Sequence, residues 1–310
     1  MRSILLAAAA LLTASPALSN QPPRLPPSEI VAAAPAADWE RIAPSDLLVM
    51  DLAPGANARP RRVVIQLLPE PFSAGWTGNI RKLAAARFWD GTAVVRVQDN
   101  YVAQWGDPDA EDKAKARKLP EGLAVMAEAD YTATVPAGMP LSARTAGGDS
   151  YAAQTGFTKG WPVGAGPRKS GRELVWPVHC YGMVGAGRNL SPDTGTGAEL
   201  YTVIGHAPRH LDRNIALVGR VIEGIEHLSS LPRGTGPLGF YETPQERTAI
   251  TAVRLGTELS DLPAYEYLST ESTSFARYAD ARANRQDAFF IRPAGGADVC
   301  NIPVPVRRVP

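Results

Sequence analysis

Residues 79–107 read NIRKLAAARFWDGTAVVRVQDNYVAQWGD, and the change of period inside this stretch decides the architecture. Around its first part Trp76, Ile80, Leu83, Ala84 and Arg87 recur at helical spacing, which predicts an amphipathic helix of about three turns over 76–88. Asp90-Gly91 then turns the chain into a β-branched run, 92–98. Asp99-Asn100 turns it again into 101–107, the pattern of a tight hairpin. Arg96 and Gln104 stand eight residues apart across that turn. They therefore fall on neighbouring strands and face the same side.

Working outward, 47–52 and 62–68 are apolar, strand-length runs flanking the breaker Pro54-Gly55-Ala56-Asn57, and they read as paired antiparallel strands. Further strands are expected at 131–135, 182–187, 199–204, 215–221 and 250–255, with a second short helix over 223–231. Residues 108–181 are a long mixed insertion in which 144–172 is Gly-rich and reads as loop. Beyond Glu258 lies an extension of about fifty residues, with a helix over 272–285 and a Pro-rich end. Helices this sparse among short strands do not make alternating βαβ units. The order is mainly all-β and fits an antiparallel barrel capped by two α-helices. The 28 Gly and 28 Pro, dispersed without a period, agree with a turn-rich chain.

The first nineteen residues read as an address. Arg2 gives a positive start, 4–12 is an apolar run too short to span a bilayer, and Ala17-Leu18-Ser19 is a small-x-small cleavage site. A secretory signal peptide over 1–19 is expected, with an uncleaved N-terminal anchor as the alternative. The expected location is periplasmic or secreted. Residues 20–45 are rich in Pro and Ala and read as a linker. Cleavage removes one of the 32 basic residues, leaving 31 against 31 acidic ones. That balance gives no case for nucleic acid or an anionic membrane surface, and no later run has the length for membrane insertion. The two cysteines, Cys180 and Cys300, are an even, widely spaced pair. In an oxidising compartment such a pair favours a disulfide over a metal site, with buried free thiols as the alternative.

The residues quoted above resemble the cyclophilin signature, in which N-F-x-x-L on a helix leads to Y-x-G-T-x-F-H-R-V and F-x-x-Q-x-G-D. Here those are Asn79-Ile80-Arg81-Lys82-Leu83, then 88–97, then 101–107. A second block agrees: 182–186 is similar to G-x-x-S-M-A, Glu199-Leu200-Tyr201-Thr202 to Q-F-F-I, His210-Leu211-Asp212 to W-L-D, and 218–224 to F-G-x-V-x-x-G. The resemblance covers 45–107 and 182–258. It implies a closed eight-stranded antiparallel barrel over 46–258, interrupted by the insertion 108–181, with 259–310 packed on it. It also implies a peptidyl-prolyl isomerase that uses no cofactor or metal. Its partners would be proline-containing segments of unfolded or partly folded exported proteins, bound by a monomer.

By the same resemblance Arg96 is the catalytic donor, and Gln104 either orients its fork or binds substrate backbone. Tyr101, Val102, Tyr201 and Leu211 would line a slot for the proline ring, with Glu199, Leu200, His210 and Ile215 around it. The chain departs from the family pattern at several of these positions. Tyr101 and Tyr201 replace Phe, and the Tyr201 hydroxyl needs a partner. His210 replaces Trp, Ile215 replaces His, Arg188 replaces Asn, and Glu199 replaces Gln and either pairs with Arg96 or faces solvent. These departures, the insertion and the extension leave a second reading, a catalytically weak binding module acting as chaperone or scaffold. Other signals are weaker. His206 and His210 have metal-like spacing, but Pro208 argues against the helix such a pair would need. The glycines at 182, 185 and 187 do not sit in a βαβ unit.

Overall fold

Alternation along the strands sets the layers of this protein. The computed structural model describes residues 25–55, 58–136, 141–143, 145, 149–166, 172–287 and 289–309; the segment read as a signal peptide lies outside them. In chain order, helix α1 (Pro27–Ala32) and strand β1 (Trp39–Ile42) precede β2 (Leu47–Leu52) and β3 (Arg61–Leu67). Helix α2 (Ala74–Ala85) is followed by β4 (Ala93–Val97) and β5 (Val102–Gly106). The insertion carries β6 (Ala133–Pro136), β7 (Gln154–Thr158), β8 (Trp161–Ala165) and β9 (Arg172–Pro177). Then come β10 (Met183–Ala186), β11 (Leu200–Val203), β12 (Leu217–Glu223), α3 (Glu226–Ser229) and β13 (Thr248–Leu255). Strand β14 (Tyr265–Leu268), helix α4 (Thr273–Ala283) and β15 (Val306–Arg308) complete the chain.

Eight of these strands close a barrel in the order β10-β11-β5-β4-β13-β2-β3-β12, with every pairing antiparallel. Leu48, Met50 and Leu52 of β2 and Val63, Ile65 and Leu67 of β3 point inward. Trp76, Ile80, Leu83 and Ala84 of α2 close one opening over them, and Leu228 of α3 joins the same core. The intervening residues Leu47, Val49 and Val64 point outward and are buried as well, against Ile42, Tyr265 and Tyr267. Strands covered on both faces read as unbroken apolar runs, which is how 47–50 reads. The second helix is a single turn because β12 runs through Glu223.

Two expectations are corrected. The lead-in 20–45 is not a linker over its described part: Ile30 of α1 is buried, and β1 pairs with β14 from Trp39↔Leu268 to Ile42↔Tyr265. The Pro and Ala content is that of a short helix started by Pro27 and packed against α4. Likewise 144–172 is not all loop, because β7 and β8 form a hairpin in a four-stranded sheet, β6-β9-β8-β7. Gly164 sits in β8 for close packing, since a Cβ there would meet the Trp176 indole at 2.7 Å. This sheet, α1, α4 and the barrel's outer face share a second core in which Phe157 meets Phe275 edge-on at 5.0 Å. The extension therefore packs on the insertion as well as on the barrel.

A buried guanidinium ties insertion to barrel. Arg220 of β12 donates to Gln66 Oε1 through Nε (2.9 Å) and Nη2 (2.7 Å), and to Gly160 O through Nη1 (2.8 Å). Burial lowers its pKa to about 10. Cys180 and Cys300 are disulfide-bonded, their Cα atoms 5.1 Å apart and 120 residues apart in sequence. A crosslink closing so long a loop restricts the unfolded chain strongly. Cys300→Ser is expected to lower stability by about 2–4 kcal/mol, read as a drop in the denaturant midpoint. An unchanged midpoint would contradict this.

Candidate functional site

The hairpin β4–β5 sets the first residues of the expected groove, Arg96 and Gln104, on the barrel's outer face. Asn100 occupies the left-handed region at φ 52°, and Gln98 N–H donates to Val102 O at 2.9 Å to close the turn. That closure sets Arg96 opposite Gln104, and a bulge between Val94 and Arg96 shifts the register beyond the pair. The Arg96 fork is then held on three oxygens. Nε donates to Leu238 O (2.7 Å), Nη1 to Gln104 Oε1 (2.9 Å) and Nη2 to Gln98 Oε1. A guanidinium has five N–H groups, so two remain without an acceptor among the described residues. The cation also faces the rings of Phe240 (5.2 Å) and Tyr101 (5.7 Å). Partial burial pulls its pKa down from the ordinary range, against the pull of Tyr101 and Glu199.

Both ends of the Gln104 amide are engaged, because its Nε2 donates to Glu199 Oε1. Gln104 thus orients the Arg96 fork, and Glu199 pairs with Gln104 rather than with Arg96. Burial raises the Glu199 pKa, with the Gln104 bond opposing it.

Beside the guanidinium, Val102, Tyr201 and Val203 form a buried apolar cluster, with Tyr101 and Ile215 packed against it. Register brings them together: β5 and β11 pair Gln104 with Tyr201 and Val102 with Val203. Gly185 lies opposite Tyr201 on β10, and a Cβ there would come within 2.3 Å of the tyrosine ring and hydroxyl. Leu200 is a correction. It alternates with Tyr201, points into the barrel core and is 1% exposed, so its side chain is not in the groove. Leu211 is half-buried on the turn Arg209–Leu211, and exposed His210 stacks on Tyr101 at 6.2 Å with planes 8° apart. Arg188 is bound to the carbonyls of Asn214 (2.9 Å) and Asn189 (2.7 Å).

The Tyr201 hydroxyl finds the partner its burial requires. It bonds His179 Nε2 at 2.8 Å, and His179 Nδ1 bonds Asp212 Oδ1 at 2.9 Å. Asp212 also accepts from the His179 backbone N–H (2.9 Å) and from Arg209 Nε (2.6 Å), while Arg209 Nη1 reaches Asp149 Oδ2 at 2.7 Å. Burial lowers the His179 pKa despite Asp212, so the ring is neutral at pH 7. A carboxylate only accepts, which places the imidazole proton on Nδ1 and leaves Nε2 to accept from Tyr201. The sequence reading missed His179. The available signal was that a buried phenol needs an acceptor.

The family profile described as cyclophilin type peptidyl-prolyl cis-trans isomerase/CLD matches residues 61–255. Among solved structures, the cyclophilin AquaCyp293 from Hirschia baltica is similar to this chain with a TM-score of 0.65 and 23% identity, over 87% of this chain and 92% of that one. A cyclophilin type peptidyl-prolyl cis-trans isomerase from Cryptosporidium parvum, in the presence of dipeptide ala-pro, aligns with a TM-score of 0.40 and 11% identity, over 67% and 98%. No curated protein matches the chain.

His179→Leu strands the Tyr201 hydroxyl and is expected to cost about 1–3 kcal/mol of unfolding free energy. Adding Tyr201→Phe should recover much of that loss, because the phenol no longer needs an acceptor. A single variant as stable as the parent, or losses that simply add in urea melts, would contradict the pairing.

Proposed function

Given that the chain belongs to the cyclophilin-type peptidyl-prolyl cis-trans isomerase family, we propose that it accelerates X-Pro rotation in exported, partly folded proteins, with Arg96 as the residue that stabilises the twisted amide. Amide resonance opposes that rotation with a barrier of about 18–20 kcal/mol. The reaction makes and breaks no covalent bond, so the protein must supply an interaction that strengthens as the bond twists. Twisting localises the lone pair on the proline nitrogen. A cationic N–H fixed beside that nitrogen gains energy there and little in the planar states. The observation that carries the reading is the Arg96 guanidinium, fixed on Gln104, Gln98 and Leu238 with two N–H groups remaining, beside the Val102–Tyr201–Val203 cluster. That cluster would hold the ring while Arg96 acts on its nitrogen.

The exported client class rests on the apolar run 4–12 with its small-x-small site, and on the formed Cys180–Cys300 bond, which suits an oxidising compartment. The other reading, a binding module without useful catalysis, draws on Glu199, whose carboxylate holds the Gln104 amide.

The test is isomerisation of a proline tetrapeptide by the protein and by Arg96→Ala. By analogy with removing one transition-state donor, kcat/KM should fall about 10²–10³-fold, with an unchanged circular dichroism spectrum. Equal acceleration by both proteins would remove Arg96 from the mechanism. No acceleration by either would favour the binding module.

A further inference from the structure

Next to the apolar slot lies a separate cleft of about 560 Å³ that shares Tyr101 and His210 with it. Asn100 and residues 205–209 of the cyclophilin-like blocks line it too, and the rest of its wall comes from outside those blocks. Tyr151 and Tyr181 belong to the insertion, while Asp298 and Asn301 belong to the C-terminal extension. Tyr151 and Tyr181 remain 44% and 53% exposed, so large aromatic surfaces are left uncovered where the chain could have buried them. The walls are also fixed to each other. Tyr181 follows Cys180, Asp298 lies two residues before Cys300, and the disulfide joins the two segments.

The charged groups at this cleft carry a surplus of carboxylate. Among the described residues its single lining Lys or Arg side chain is Arg209, which is buried, lies under the Tyr151 ring at 5.4 Å and is bonded to two carboxylates, Asp212 and Asp149. One guanidinium against two carboxylates leaves that group net negative. Asp298 adds an exposed carboxylate, with Oδ1 accepting from Cys300 N–H at 2.8 Å and Oδ2 directed to no donor among the described residues. Aromatic ring faces attract cations, and a surplus of carboxylate attracts them further.

We propose that this cleft is a flanking subsite that takes a lysine or arginine side chain of the bound proline-containing segment, a deepening that rests on the peptide-binding reading of the groove. The slot would select proline, and the cleft would select a basic residue near it. An acidic side chain placed there would meet Asp298 and the negative ring faces.

The experiment measures fluorescence anisotropy of labelled hexapeptides with a central Ala-Pro, carrying Lys, Ala or Glu at each flanking position in turn. At one flank, Lys peptides should bind about three- to tenfold more tightly than Glu peptides. The preference should shrink to about twofold or less in Asp298→Asn/Tyr181→Ala. No Lys preference at any position, or a preference untouched by the double variant, would overturn the proposal. Isomerisation is recorded in parallel. Turnover without a Lys preference sinks the subsite alone. A Lys preference without turnover sustains the subsite and sinks the enzymatic reading.

Discussion

The Arg96 fork is a cation held on three neutral oxygens, and the site depends on that arrangement. A guanidinium left in water has no reason to hold one direction. Here its direction is set by Gln104 across the hairpin, by Gln98 two residues along, and by the carbonyl of Leu238 in a separate loop. None of these partners is a carboxylate, so the positive charge is oriented without being neutralised. The nearby carboxylate, Glu199, is kept one step away by Gln104, which donates to it while accepting from Arg96. The turn makes this possible, since its closure by Gln98 N–H on Val102 O sets the register in which Arg96 stands opposite Gln104, and the β4 bulge shifts the pairing only beyond Arg96. The Leu238 loop is fixed to the same strand: Gly234 N–H donates to Val97 O (3.0 Å) and Tyr241 N–H to Val95 O (3.0 Å).

Behind the apolar slot, a buried polar chain joins the barrel to the insertion. Tyr201, His179, Asp212, Arg209 and Asp149 run from the slot floor to the segment that holds Tyr151, and each link satisfies a donor that burial would otherwise penalise. Replacing phenylalanine by tyrosine at 201 is therefore not a neutral change of ring. It brings a hydroxyl into a dry site, and the residues that answer it lie on both sides of β10. The Cys180–Cys300 bond and the buried Arg220 fix the same insertion to the extension and to β12. The additions to the barrel are thus anchored close to its groove.

Much of the barrel was legible in the sequence, because its information is local. Residues 47–52 and 62–68 are strand-length runs between breakers, and 76–88 carries one helical stripe. That Arg96 and Gln104 fall on neighbouring strands and face the same side followed from the turn at Asp99-Asn100. Leu200 shows a local rule set aside in favour of motif matching: if Tyr201 faces the slot, the period of two sends Leu200 inward. Other features depend on contacts far apart in the chain. β1 was read as part of a linker because its partner, β14, lies more than two hundred residues later. Gly164 was read as loop because the indole of Trp176, against which it packs, belongs to a different strand. His179 sits 22 residues from Tyr201 and 33 from Asp212, with no periodic pattern linking them.

The claim that the charge of Arg96, and not only its shape, stabilises the twisted amide is tested most directly by replacing Arg96 with citrulline. Citrulline keeps a planar urea and its Nε–H but carries no charge. The readout is cis–trans exchange of a proline peptide in two-dimensional exchange NMR with each protein. The account predicts that exchange falls to the uncatalysed rate, tens of seconds or longer, while the peptide still binds. Exchange as fast as with the arginine protein would contradict it.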